Sequence, residues 1–196
     1  LSAGIYNFTS PMSLAAIASK IKSGSYDVPL VKLTIPEGFT NEDIISRVAK
    51  EFNQSIGSEF MTEFTALIKD KQGYLFPETY YFFPDEKPIT IVSKLEDEWG
   101  DRVGTQSKIN NKVIVMASIL EGESRDADEM KIISGILNKR ISKGMYLQVD
   151  VATITYSVMG LPDTPINNPG EDAINAALHP ETSAYLYYLH DDEGAV

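Results

Sequence analysis

From Lys112 to Gly122 the chain runs through Val113, Ile114, Val115, Met116, Ala117, Ile119 and Leu120, an apolar stretch that leaves a helix no polar face. A helix that is apolar all round has to be covered on every side, so residues 112–122 are expected to form the buried centre of a lobe. The run falls well short of the ~20 apolar residues that cross a bilayer. It ends on Glu121-Gly122-Glu123-Ser124. Glutamate is almost never buried without a reason. Desolvation, the negative end of the helix dipole and the carboxylate of Glu123 all disfavour a charged Glu121, so each raises its pKa. A carboxyl group that keeps its proton near neutral pH is what a glycosidic leaving oxygen requires. Gly122 beside it removes a side chain and lets a polymer come close. An exposed acid just past the helix end would give the same spacing, and perturbed carboxylates also occur in structural networks.

The rest of the composition narrows the chemistry. Among 196 residues, 17 basic side chains stand against 28 acidic ones, for a net charge of −11. Phosphate contacts would have to work against that field, so nucleic acid is excluded as a partner. The chain has no Cys, which removes disulfides, thiolate catalysis and Cys-based zinc sites. Its 2 histidines, His179 and His190, have no partner at metal spacing, so no metal and no cofactor are expected. A phosphate-binding Gly-Lys-Ser loop and a Gly-x-Ser-x-Gly elbow are missing as well. Carboxylate chemistry is what remains.

Along the chain, two similar strand-turn-helix units come first. One is a strand over residues 4–8 and a helix over 13–21, with Leu14, Ile17 and Ile21 on one face and a stop at Gly24. The other is a strand over 31–35, the turn Pro36-Glu37-Gly38, and a helix from about Asn41 whose face is Ile44, Ile45, Val48, Ala49 and Phe52, capped by Thr40 or Asn41. So small a unit buries little core alone, and it either docks on the rest of the chain or binds carbohydrate. Residues 53–72 read as a polar connector with one helix over 59–68. Residues 73–84 hold 6 aromatics and 2 prolines, suited to a buried strand or to stacking on sugar rings. Helices are expected over 89–103, 127–142 and 171–178, strands over 145–156 and 184–189, and a proline-rich loop over 160–170. The fold class is α+β: a small lobe over 1–55, a connector over 56–72, and a mixed α/β lobe over 73–196 built around the buried helix and cut short of a final strand.

A second polar cluster gathers Asn138, Arg140, Gln148 and Asp150. Asn138 and Gln148 carry donors and acceptors that suit the hydroxyl and acetamido groups of amino sugars. Arg140 can pair with Asp150 or with a carboxylate on a substrate, and helix capping with an ordinary salt bridge would explain the same residues.

Several motifs then coincide. They are Ala117-Ser118-Ile119-Leu120-Glu121-Gly122-Glu123, Leu137-Asn138-Lys139-Arg140, Gly144-Met145-Tyr146-Leu147-Gln148-Val149-Asp150, Gly160-Leu161-Pro162, and Asn168-Pro169-Gly170. With Ile35-Pro36-Glu37-Gly38, residues 73–80 and Ala176-Ala177-Leu178-His179-Pro180, they cover nearly the whole chain. This series resembles the YceG-like endolytic murein transglycosylases. The resemblance implies a LysM-like first lobe, a catalytic lobe whose acid is Glu121, and a membrane anchor ahead of Leu1 that is absent here. It implies action on nascent peptidoglycan at the extracytoplasmic side of the bacterial membrane, with wall-synthesis or division proteins as further partners. The muramyl 6-hydroxyl would close on its own anomeric carbon to leave a 1,6-anhydro end, with Glu121 as acid and then base. Asn138, Gln148, Asp150, Glu123 and Tyr80 are the expected substrate-binding residues, and Glu121 is expected in an open groove where the buried helix meets the strand carrying Gln148 and Asp150, with at least one of Asn138, Gln148 or Tyr80 lining it. Deleting residues 1–52 would then weaken glycan binding more than turnover. A hydrolytic muramidase pairing Glu121 with Asp150 or Glu123, and a non-catalytic glycan-binding scaffold, remain open. One departure from the pattern stands out. Tyr156-Ser157-Val158-Met159 runs straight into Gly160-Leu161-Pro162, where relatives have a sizeable polar segment. A hidden break is expected there, with a step well above the ~3.8 Å between consecutive Cα atoms, the alternative being a true deletion.

Overall fold

The computed structural model describes residues 6, 11–24, 29–104 and 108–189. The expected strand over 4–8, His190 and the end of the chain lie outside these residues. Helix α1 (Leu14–Ser23) starts on the Ser13 hydroxyl and stops at Gly24 in the left-handed conformation. Its expected inward face is barely covered: Ile17 and Ile21 are half-buried and Leu14 is exposed.

The first core begins at strand β1 (Val31–Thr34). Helix α2 (Asn41–Glu51) follows, opened by a capping box in which Thr40 and Asp43 satisfy each other's backbone N–H groups. Then come α3 (Glu59–Ile68), capped by Ser58, strand β2 (Thr79–Phe82), and α4 (Pro88–Trp99) with proline in its first turn. β1 and β2 pair antiparallel, Val31 opposite Phe82 and Thr34 opposite Thr79. Leu33, Ile44, Val48, Phe64, Phe82 and Leu95 pack together as one cluster between this ribbon and the helices. The core of the first lobe thus runs to Leu95, past the expected boundary at 55–72. The reason is non-local pairing: β2 supplies the partner without which β1 would be a lone edge. Leu33, Ile35, Ile44, Val48, Ala49 and Phe52 belong to that core, so the truncation expected to separate binding from turnover would remove part of a packed unit.

A π-helical turn, Gly100–Gly104, leads towards the second core. Helix α5 (Asn111–Glu123) is its centre, with every residue from Ile114 to Leu120 at most 3% exposed, as its all-apolar sequence requires. Helices α6 (Ala127–Ser142) and α7 (Glu171–Leu178) pack against it. The fold is therefore α+β and mostly helical, with one two-stranded sheet among the described residues.

Among the described residues the second lobe contains no regular strand, so the expected mixed α/β character and the strands over 145–156 and 184–189 are corrected. Gln148 takes a positive φ of 49°, which ends any extended run after Leu147. Beyond it Asp150–Tyr156 coils into a 3-10 helix held by Thr155, whose hydroxyl accepts from Val149 N–H and donates to the Ala152 carbonyl. Only an isolated bridge, Tyr146 to Met159, is sheet-like. Ser157 and Val158 N–H both donate to the Ile154 carbonyl.

The two cores are joined at Asn168, which is fully buried. Its side-chain oxygen accepts from Gly73 and Leu75 N–H at 2.8 and 3.1 Å, and its amide donates to the Phe39 carbonyl at 2.9 Å. Its backbone pairs with the same turn, Asn168 N–H to Phe39 O and Gly38 N–H to Asn168 O, both at 2.9 Å. The turn after β1 is thereby fastened beside the start of α7.

Candidate active site at the end of the buried helix

Glu121 sits in the last turn of α5, half-buried, in a cleft of about 350 Å³ lined also by Pro36, Glu37, Arg125, Met130 and Asp172. One wall is the Pro36-Glu37-Gly38 turn of the first lobe, and another is the N-terminus of α7. The Oε2 atom of Glu121 accepts a hydrogen bond from Gly170 N–H at 2.9 Å. A Cβ on Gly170 would lie 2.1 Å from Glu37 Oε1, so any larger residue there would displace the Glu37 side chain. Gly122, by contrast, does not open the cleft. A Cβ on it would meet Val151 at 3.0 Å, so its small size serves the packing of the 3-10 segment.

Burial pushes the Glu121 carboxyl above its ordinary range. The Gly170 hydrogen bond opposes this, the Glu37 and Asp172 carboxylates add to it, and Arg125 opposes it. The rise matches the expectation, but the neighbouring charges differ from the expected one, Glu123. A folded-state pKa raised above the unfolded value makes this group's stabilising contribution complete below the ordinary value of 4.5, and it is lost as pH rises through the folded value. Glu121→Gln is therefore expected to flatten the fall in stability across that window. Parallel denaturation curves for parent and variant across pH 4 to 8 would contradict it.

Glu123, two residues on, faces the other way. With Arg140, Gln148, Asp150, Tyr156, Tyr187 and Tyr188 it lines a second cleft of about 370 Å³. Tyr188 donates its hydroxyl proton to Glu123 Oε2 at 2.8 Å, and Tyr156 donates to Asp150 Oδ1 at 2.5 Å. Both phenols are pushed up, Tyr188 first by burial and Tyr156 first by its hydrogen bond to Asp150. Arg140 donates to Gln148 Oε1 at 2.9 Å and lies over the Tyr187 ring. The Arg140–Asp150 ion pair considered from sequence does not form.

The single groove expected around Glu121 is thus two clefts, one on each side of the α5 terminus. Gln148, Asp150 and Glu123 share the second, and Glu121 stands in the first. Asn138 lines neither; it is exposed and returns its amide to the Ser134 carbonyl of its own helix at 2.9 Å. Tyr80 is 3% exposed in the first core, its hydroxyl donating to Phe76 O at 2.7 Å, so it is a packing residue. Glu37, Asp172 and Gly170 were not singled out as site residues. Glu37 and Gly170 do fall inside the Ile35-Pro36-Glu37-Gly38 and Asn168-Pro169-Gly170 motifs, which was the available signal. A third groove, about 420 Å³ between Ile45, Ile68, Tyr74 and Pro165, holds none of these groups. Among the described residues no cluster of three or more His, Cys, Asp or Glu side chains could hold a metal ion.

An α+β chain that raises the pKa of one glutamate in a cleft between two lobes has the parts of a carboxylic-acid catalyst. The model of the YceG-like family matches it over residues 1–157 and 154–196, and the chain belongs to that family. It is 25% identical, over 267 aligned residues, to the endolytic murein transglycosylase of Streptococcus pneumoniae serotype 2 strain D39, covering 100% of this chain and 48% of that protein. To the Bacillus subtilis strain 168 protein of the same name it is 27% identical over 246 residues, covering 99% of this chain and 68% of the other. The chain therefore spans about half the length of the streptococcal relative. A crystal structure of a YceG-like protein from Listeria monocytogenes superimposes with a TM-score of 0.66 at 26% identity, covering 97% of this chain and 80% of that one. The family match divides at 154–157, where the sequence runs short of the pattern.

Proposed function

We propose that this chain is the glycan-cutting part of an endolytic murein transglycosylase. The observation that carries this reading is Glu121: a half-buried carboxyl, raised by desolvation and two neighbouring carboxylates, lining a cleft with Pro36, Glu37 and Asp172. The names of its relatives supply the substrate class.

Protonated Glu121 gives its proton to the oxygen linking the anomeric carbon of N-acetylmuramic acid to N-acetylglucosamine, and that carbon–oxygen bond breaks. The muramyl 6-hydroxyl then bonds to the same carbon and returns its proton to Glu121. One carboxyl serves twice, no water is consumed, and the product ends in a 1,6-anhydro ring. The Gly170 N–H holds one oxygen of Glu121 in place while it alternates between acid and base. The first lobe, taken as LysM-like, contributes the Pro36-Glu37-Gly38 wall and contacts to sugars away from the reacting bond. Because the substrate lies outside the cytoplasmic membrane, the site would work there, tethered by an anchor ahead of Leu1. No helix among the described residues is long and apolar enough to cross a membrane.

A hydrolytic muramidase is the second reading, favoured by one observation: Glu37 and Asp172 share the cleft with Glu121 and could activate water, a role that hydrolases give to a second carboxyl. Asp150 and Glu123, considered for it from the sequence, stand in the other cleft. Endolytic action is tested by digesting uncrosslinked strands and sizing the fragments. Cuts inside strands should give intermediate lengths early in the reaction; release of disaccharides alone, or no shortening, would contradict it.

A further inference from the structure

Two residues that line the second cleft carry buried polar atoms of opposite character with no hydrogen-bond partner. Arg140 is only 4% exposed, yet its Nε has no hydrogen-bond partner, and neither has Oε1 of Glu123. Among the described residues no carboxylate lies within ion-pairing distance of the Arg140 guanidinium, whose other contacts are Gln148 and the Tyr187 ring. A buried guanidinium left in this state is costly, and so is a buried carboxylate oxygen. Gln148, which holds the guanidinium in place, does so from a strained positive φ of 49°, a kind of strain that gathers at ligand sites. The walls are aromatic, from Tyr156, Tyr187 and Tyr188, and open to solvent.

An unpaired donor and an unpaired acceptor in one cleft call for a ligand that carries both a carboxylate and an ammonium. We propose that this cleft binds a zwitterionic amino-acid group, its carboxylate at Arg140 Nε and its ammonium between Glu123 Oε1 and Asp150. Resting on the peptidoglycan reading of the neighbouring Glu121 cleft, the ligand would be the amino-acid end of the short peptide that such strands carry. The enzyme would then hold a strand by its sugars on one side of the α5 terminus and by a peptide on the other. Glu123, Gln148 and Asp150 are accordingly peptide-reading residues that do not touch the reacting bond.

The test is binding without cleavage, by calorimetry on the whole chain. The probe is N-acetyl-L-Ala-γ-D-Glu-L-Lys, with two capped forms: the lysine side-chain amine acetylated, or the terminal carboxylate converted to the carboxamide. The parent protein should bind the uncapped peptide saturably, and each cap should weaken binding at least about tenfold, because each leaves one buried group of the cleft unpaired. Glu123→Gln should abolish discrimination against the acetylated amine, and Arg140→Lys discrimination against the carboxamide. Should Arg140→Lys fail to fold, the ligand caps and Glu123→Gln still decide. No saturable binding by the parent, equal binding of capped and uncapped peptides, or unchanged discrimination in folded Glu123→Gln protein would each overturn the proposal. None of these readouts depends on strand cleavage, so failure here leaves the Glu121 assignment standing, and an inactive Glu121 leaves this test intact.

Discussion

Glu121→Gln should abolish strand cleavage and leave the protein folded. The amide is nearly the size of the carboxyl and can still accept the Gly170 N–H hydrogen bond, so the cleft keeps its shape. What it cannot do is hand a proton to the leaving oxygen or take one from the 6-hydroxyl. A single positioned acid or base contributes roughly 10²–10⁴ in rate, and here one group performs both steps, so a loss of at least about a thousandfold is expected. The folded state should not suffer, since the carboxylate it replaces was held in a site that disfavours its charge. Rates on uncrosslinked strands, with near-ultraviolet circular dichroism as the folding control, provide the check. Activity within about tenfold of the parent, about 1.4 kcal/mol in barrier, would remove Glu121 from the mechanism.

Asn168→Ala should be the most damaging single change away from the chemistry. The substitution strips the partners from Gly73 N–H and Leu75 N–H, both buried at the joint between the lobes. Each orphaned buried donor costs about 1–3 kcal/mol, and the lost side chain leaves a hole besides, so a destabilisation of about 3–5 kcal/mol is expected. For a chain of this length that is a drop in melting temperature on the order of 10 °C. The Phe39 carbonyl would keep its backbone partner, Asn168 N–H, so the turn is loosened but not released. Activity should fall too, because the loosened turn carries Glu37 and Gly38 in the wall beside Glu121. A loss below about 1 kcal/mol in chemical denaturation would show that the lobes are held together elsewhere.

Where the chain's structure is local, its sequence was readable. Periodicity and capping signals place α3, α6 and α7 at the residues where they occur, and the all-apolar run of α5 correctly demanded a helix covered on every side. The failures share one physical origin: they depend on partners distant in the chain or on a single backbone angle. The apolar alternation after Gly144 looks like a strand until the positive φ of Gln148, which no composition rule announces, turns it into a 3-10 coil. The lobe boundary was misplaced because β1 is completed by β2, beyond the polar connector. Tyr80 was one aromatic among several and went to the core, the alternative weighed for most of those rings.

The site shows the same division. That Glu121 would be desolvated and its pKa raised followed from its place after the apolar run. That Glu37 and Asp172 would stand beside it, and that Glu123 would face a different cleft, followed from folding two lobes together. Adjacent carboxylates in sequence suggested one site, yet residues two apart on a helix point in different directions, and the structure gives each its own cleft.

The chemistry of the new chain ends tests the central assignment most directly. Uncrosslinked peptidoglycan strands digested by the whole chain, then analysed by mass spectrometry, should show new muramyl ends lighter by one water than hydrolysed ends and resistant to borohydride, as a 1,6-anhydro ring requires. Reducing muramyl ends would instead assign the cleft to a hydrolase in which Glu37 or Asp172 activates water beside Glu121, and strands left uncut would contradict an enzymatic role for this chain.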